Sequence, residues 1–122
     1  MIVAVPIRIE STPNLREHWA SRAKRAREHK AAVWYALRAV RAPHTLPCVV
    51  TLTRIAPRTL DTDNNVAGMK AARDGVALWL QVDDADPRVQ WVYAQRKGPP
   101  KTYRAEIQIE AATVPGTIQN AA

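Results

Sequence analysis

Two hydrophobic periods divide the chain. Residues 2–10 alternate, with Val3, Val5, Ile7 and Ile9 on one face, the period of a half-buried strand. After the turn cluster Ser-Thr-Pro-Asn the spacing lengthens. From about Leu15 to Val40, Trp19, Ala23, Ala26, Val33, Leu37 and Val40 recur at helical intervals and predict one helix with a single buried stripe. Pro43 and Pro47 bracket a loop, and the β-branched run 48–55 predicts a second strand. A second helix is predicted over about Asn64–Leu80, with Asp61, Thr62 and Asp63 at its start. Pro87 punctuates the chain before residues 88–96 alternate again, with Val89, Trp91 and Tyr93 on one side. After the turn Lys-Gly-Pro-Pro-Lys, Tyr103, Ala105, Ile107 and Ile109 face inward while Arg104, Glu106, Gln108 and Glu110 face outward. These last two segments are expected to pair as a hairpin, and residues 112–122 to fray as a tail.

The order β-α-β-α-β-β predicts an α/β (α+β) domain, a single mixed sheet with two helices packed on it. At 122 residues the chain is expected to form one domain, spanning 1–122. Hydrophobic residues make up 47%, enough to fold rather than stay disordered. The segment 1–10 reads as a strand and lacks the pattern of a signal peptide. Apolar runs such as Gly75–Val82 are too short to cross a bilayer, so no membrane partner is expected. A single cysteine, Cys48, allows no internal disulfide and fits the cytoplasm.

Charge sharpens the picture. The formal net charge is +7 and the pI about 10.2, a balance that favours nucleic acid or another anionic surface. Yet all six aspartates, Asp61, Asp63, Asp74, Asp83, Asp84 and Asp86, fall in one window. A tight acidic cluster repels the polyanion that the rest of the protein attracts, a cost that is met if the carboxylates hold a divalent cation against phosphate. Asp61 and Asp63 are two apart, so an extended segment entering a helix presents both to one side. A helix and a return strand can bring Asp84 beside them, and Mg²⁺ accepts such oxygen ligands together with waters and substrate phosphate. The competing reading is that Asp61 and Asp63 only cap a helix. A calcium loop fails: Val66 stands where glycine is needed and Ala72 where the closing Glu belongs. Lys70, seven residues after Asp63, would share its face on a continuous helix, where it could neutralise charge on phosphate. It could equally be a surface lysine paired with Asp74.

Other chemistry is weak. His18, His29 and His44 show no metal spacing with Cys48, the four glycines form no phosphate loop, and Ser11 and Ser21 lack a nucleophile context. Arg22, Lys24, Arg25 and Arg27 crowd the first helix, either as a solvated face or as a phosphate-contacting ridge. Trp91 and Tyr93 suit the core better than base stacking.

The run 60–91 resembles the core of RusA-type crossover junction endodeoxyribonucleases, small phage-associated Holliday junction resolvases. The likeness rests on Asp-x-Asp-Asn opening a helix, Lys-Ala-Ala-x-Asp within it, and an Asp-Asp pair before the next strand. Arg54 and Arg58 on the approach also agree. The resemblance implies a homodimer that nicks four-way DNA symmetrically with Mg²⁺, Mn²⁺ being a possible substitute. It implies metal-binding carboxylates at Asp61, Asp63 and Asp84, support from Asp83 and a catalytic Lys70. One departure is plain: Lys70 lies six residues after Asn64, where better-known members have three. From charge, Arg54, Arg58, Arg73, Arg96, Lys97 and Lys101 are the expected DNA contacts. A nuclease on other branched or flapped DNA, or a DNA-binding protein without catalysis, are the alternatives.

Overall fold

The computed structural model describes residues 1–10, 19–40 and 46–112. The predicted start of the first helix at 15–18 and the tail beyond residue 112 lie outside them. Four strands form one mixed sheet: β1 (Ile2–Val5), β2 (Cys48–Ala56), β3 (Val89–Lys97) and β4 (Arg104–Ala111), in the spatial order β1-β4-β2-β3. The helices are α1 (Trp19–Val40), α2 (Thr62–Gly68) and α3 (Lys70–Leu80). The α+β class and the mixed sheet agree with the sequence reading. No helix among the described residues is long and apolar enough to cross a membrane.

The core lies on the helical side of the sheet. Val50 and Leu52 from β2, Ala105, Ile107 and Ile109 from β4, and Val5 from β1 are buried against Val33 and Leu37 of α1 and Ala72, Val76 and Trp79 of α3. The inward and outward positions of β4 follow the alternation in the sequence. Gly75 sets how closely the helices approach. A Cβ there would sit 2.6 Å from the carbonyl oxygen of Lys30 and 2.9 Å from Val33 Cβ.

Four expectations need correction. β3 and β4 do not form a hairpin: β3 runs parallel to β2, and β4 runs antiparallel along its other side. β2, with an almost fully buried inner face, takes the central place. The loop after β3 must therefore cross the end of β2, where the Gly98 amide donates to the Ala56 carbonyl at 2.9 Å. The first strand stops at Val5 because Pro6 has no amide to continue the ladder, although Ile7 and Ile9 stay buried. The second helix is interrupted at Met69, which adopts φ −85°, ψ −1° between α2 and α3. Finally, the α1 stripe is only half apolar. Trp19 is 74% and Val40 49% exposed, and only Val33 and Leu37 are fully buried.

Candidate functional site: an acidic turn pinned to an edge strand

β3 is an edge strand, and two acidic segments lie along its flank. The first is the entry to α2. Asp61 occupies the N-cap position and its carbonyl accepts the first helical bond, from Asn65, at 2.9 Å. Its carboxylate makes no capping bond, so the position is that of a cap while the side chain does not serve as one. Asp61 and Asp63 are both exposed. Two contacts hold this segment to β3. Gln95 donates to the Leu60 carbonyl (2.7 Å) and accepts from its amide (2.8 Å), and Asn65 donates to the Ala94 carbonyl (3.3 Å). Asn65 is 2% exposed, and its side-chain oxygen has no hydrogen-bond partner among the described residues.

The second segment is the turn between α3 and β3. Helix α3 ends at Gln81, which takes the left-handed conformation (φ 61°) and closes the last turn. Asp83 then turns the chain by accepting from the Ala85 amide at 2.8 Å. The Asp84 carbonyl receives two donors, Arg73 Nη2 at 2.7 Å and Trp91 Nε1 at 3.0 Å. Arg73 also donates to the Tyr93 hydroxyl at 3.0 Å and stacks over the Trp91 ring at 4.6 Å. The Asp84 carboxylate meets Lys70 Nζ at 3.1 Å and Arg73 Nε at 3.4 Å, and Lys70 holds Asp74 at 2.7 Å.

Electrostatics follows from these contacts. Hydrogen bonding to Asp74, then to Asp84, raises the Lys70 ammonium above its ordinary value. Hydrogen bonding from Lys70 holds the Asp84 carboxyl below its ordinary value. Arg88 grips Asp86 with its side chain and its amide and pulls that carboxyl down to about 2.

The expected three-carboxylate set is not assembled. Among the described residues no group of three His, Cys, Asp or Glu side chains is placed to hold a metal ion. One acidic segment is held against Trp91 and, through Arg73, Tyr93, and the other against Ala94 and Gln95 of β3. Asp83 accepts from Ala85 within the turn, and Asp84 is engaged by Lys70 and Arg73 of α3. Asp63 and Lys70 fall on either side of the Met69 turn, across which i→i−4 bonds still run from Met69 to Asn65 and from Arg73 to Met69. Lys70 pairs with Asp74 and Asp84.

The expected phosphate contacts divide into two groups. Arg54 is 7% exposed and donates to the carbonyls of Ile9 (2.9 Å) and Arg58, so it ties β2 to neighbouring loops and is not a surface contact. Arg73 is committed to the Asp84 turn. Arg96 is half-exposed and pairs with Glu106 at 2.8 Å. Arg58, Lys97 and Lys101 are exposed near the far end of β3. The sequence reading missed Asn65 and Gln95, which carry no motif signal. It placed Trp91 and Tyr93 in the core, where their rings pack partly buried, but not the polar handles they turn toward Asp84 and Arg73. No family model and no curated protein matches the chain.

Proposed function

We propose that the protein is an endodeoxyribonuclease that acts on four-way DNA junctions as a homodimer, with Mg²⁺ as its cofactor. The observation that carries this reading is the pinned acidic turn. Arg73 and Trp91 fix the Asp84 main-chain carbonyl while Lys70 and Arg73 meet its carboxylate, so three side chains converge on one acidic residue at the surface of a basic protein. The exposed Asp61, which makes no capping bond, and Asp63 add negative charge on the same flank. Because no three-ligand set is preformed, the ion is proposed to bind through one or two carboxylates with substrate phosphate as co-ligand. A two-fold dimer would meet the approximate two-fold symmetry of a junction with one site per strand. A symmetric pair of nicks would leave 5′-phosphates and 3′-hydroxyls.

A second reading is a DNA-binding protein without hydrolysis. It is favoured by the ion pairs that already neutralise Asp74, Asp84 and Asp86. The deciding experiment incubates end-labelled four-way junction, duplex and flap DNA with Mg²⁺ or EDTA, with Asp63→Asn as control. Paired nicks on the junction alone, lost with EDTA and in the variant, establish the first reading. Tight binding with no metal-dependent cutting establishes the second. Cutting of the flap alone keeps the nuclease and changes its substrate.

A further inference from the structure

The face of α1 that buries Val33 and Leu37 changes chemistry toward the helix start. One, two and three turns before Val33, the same stripe carries His29, then Ala26 and Arg25, then Arg22. Here α1 does not close on its neighbours. A cavity of about 300 Å³ separates it from α2 and α3. Arg22, Arg25, Arg27, His29 and Lys30 line one wall. Ala67, Gly68 and Ala71 line the other, and these small residues leave the space unfilled.

The cleft is strongly cationic. Four cationic side chains of α1 line it, Arg22, Arg25, Arg27 and Lys30, against two acids among the described residues, Glu10 and Asp74, which pair with Arg8 and Lys70 at 2.7 Å each. His29 is half-buried, and burial, with Arg25 beside it, holds its imidazole below the ordinary value and so neutral at pH 7. Among the described residues no Phe, Tyr or Trp lines the cleft, and the His29 imidazole is its one ring, so it offers little platform on which bases could stack. Arg22 to Lys30 span about 12 Å of helix axis. That length corresponds to roughly three phosphates at the per-strand spacing of a duplex. The cleft also leads somewhere: Lys30 and Asp74 line both it and an adjoining depression that contains Asp83 and Asp84.

We infer that this cleft holds one nucleic-acid strand by its phosphates, without reading sequence, and delivers it past Lys30 and Asp74 to the acidic turn. The inference rests on the nucleic-acid part of the function proposed above and goes beyond it by assigning the strand path. It also moves the main phosphate contact from the far end of β3 to the first half of α1.

The test measures binding of a fluorescein-labelled oligothymidylate to the full chain, in EDTA, across a salt series. Arg25→Gln/Lys30→Gln is expected to weaken binding about tenfold at 0.1 M salt and to flatten the log–log salt slope by about 1.4. Lys24→Gln/Arg38→Gln removes the same charge outside the cleft lining and is expected to change affinity less than about twofold. Ala26→Trp fills the cleft at constant charge and is expected to weaken binding as well, which keeps the test open if the double variant fails to fold. Equal losses from the cleft and control pairs, or no loss from Ala26→Trp, overturn the inference. So does competition by inorganic phosphate as effective as that of the strand at equal phosphate concentration, which would mark a small-anion site. Loss of binding in the cleft variants of a protein that never cuts DNA supports the strand path while removing the nuclease reading. Normal binding by cleft variants of a protein that cuts junctions does the reverse.

Discussion

Lys70 and Asp84 are 14 residues apart in sequence and 3.1 Å apart in space, a contact that joins the first residue of α3 to the turn before β3. Lys70 lies in a cationic cleft on one side and against two carboxylates on the other. Its ammonium is held charged by Asp74 and Asp84 and so sits where a phosphate leaving the cleft would meet the acidic turn.

Lys70→Met should therefore do two separable things. The Asp84 carboxyl should titrate closer to its ordinary value of 3.8, because its first-ranked stabilising partner is gone. Under the nuclease proposal, junction cleavage should fall by about 10²-fold while binding changes little, the pattern for a group that acts on developing charge. The pH window of the pair follows from the two shifts. It is intact where Asp84 is ionised and Lys70 charged. It is lost as pH falls through the depressed Asp84 value and as pH rises through the raised Lys70 value. NMR titration of Asp84 in both proteins checks the first part, and an Asp84 that titrates identically would show that the contact is not populated.

Arg73 is the structural counterpart. It donates to the Asp84 carbonyl and the Tyr93 hydroxyl and lies over Trp91. Arg73→Ala removes two hydrogen bonds and a cation–π contact from a partly buried site, together about 2–3 kcal/mol. Arg73→Lys should recover little, because an ammonium cannot serve both acceptors in the planar geometry of a guanidinium. Urea denaturation of the three proteins measures this. A lysine variant as stable as the parent would mean that charge alone matters there.

Gly75→Ala tests the packing that places the site. Helix propensity favours alanine by about 1 kcal/mol. The added Cβ would nevertheless stand 2.6 Å from the Lys30 carbonyl oxygen, a backbone atom that cannot rotate away. Overpacking of this kind costs about 1–3 kcal/mol, so the net effect should be destabilising. Thermal unfolding decides the sign, and a stabilised variant would show that α1 and α3 can part without cost.

How far the sequence could be read depended on whether a feature was local. The alternation at Ala105, Ile107 and Ile109 and the apolar β2 announced the sheet and its inner face, because side-chain direction in a strand is set by period alone. Strand order was not local. A loop with Gly98, Pro99 and Pro100 looks like a hairpin turn, and only the pairing of β2 with both neighbours shows that it spans an intervening strand. Arg54 reads as a surface cation until its acceptors, the Ile9 and Arg58 carbonyls, are placed around it. The aspartates were legible as a cluster in sequence, but their anchoring to β3 depends on Gln95 and Trp91, which no motif marks.

Asp86 and Arg88 offer a measurement independent of any activity. Asp86 accepts from the Arg88 amide at 2.9 Å and from its guanidinium at 3.0 and 2.7 Å, a closed arrangement two residues wide at the entry to β3. The pairing, led by the Arg88 side chain, lowers the carboxyl from 3.8 to about 2. A depressed acid stabilises the fold above its unfolded value and loses that contribution as pH falls toward its folded value. The protein should therefore lose stability between about pH 4 and pH 2, and Asp86→Asn should flatten that part of the profile. Replacing Arg88 with Ala should return the Asp86 titration toward 3.8, because the side-chain bond is its largest cause. Carbon-detected NMR of the Asp86 carboxyl gives the midpoint directly. A value near 3.8 in the parent would mean that Arg88 does not close on Asp86, and the turn that presents Asp83 and Asp84 would then be open at its β3 end.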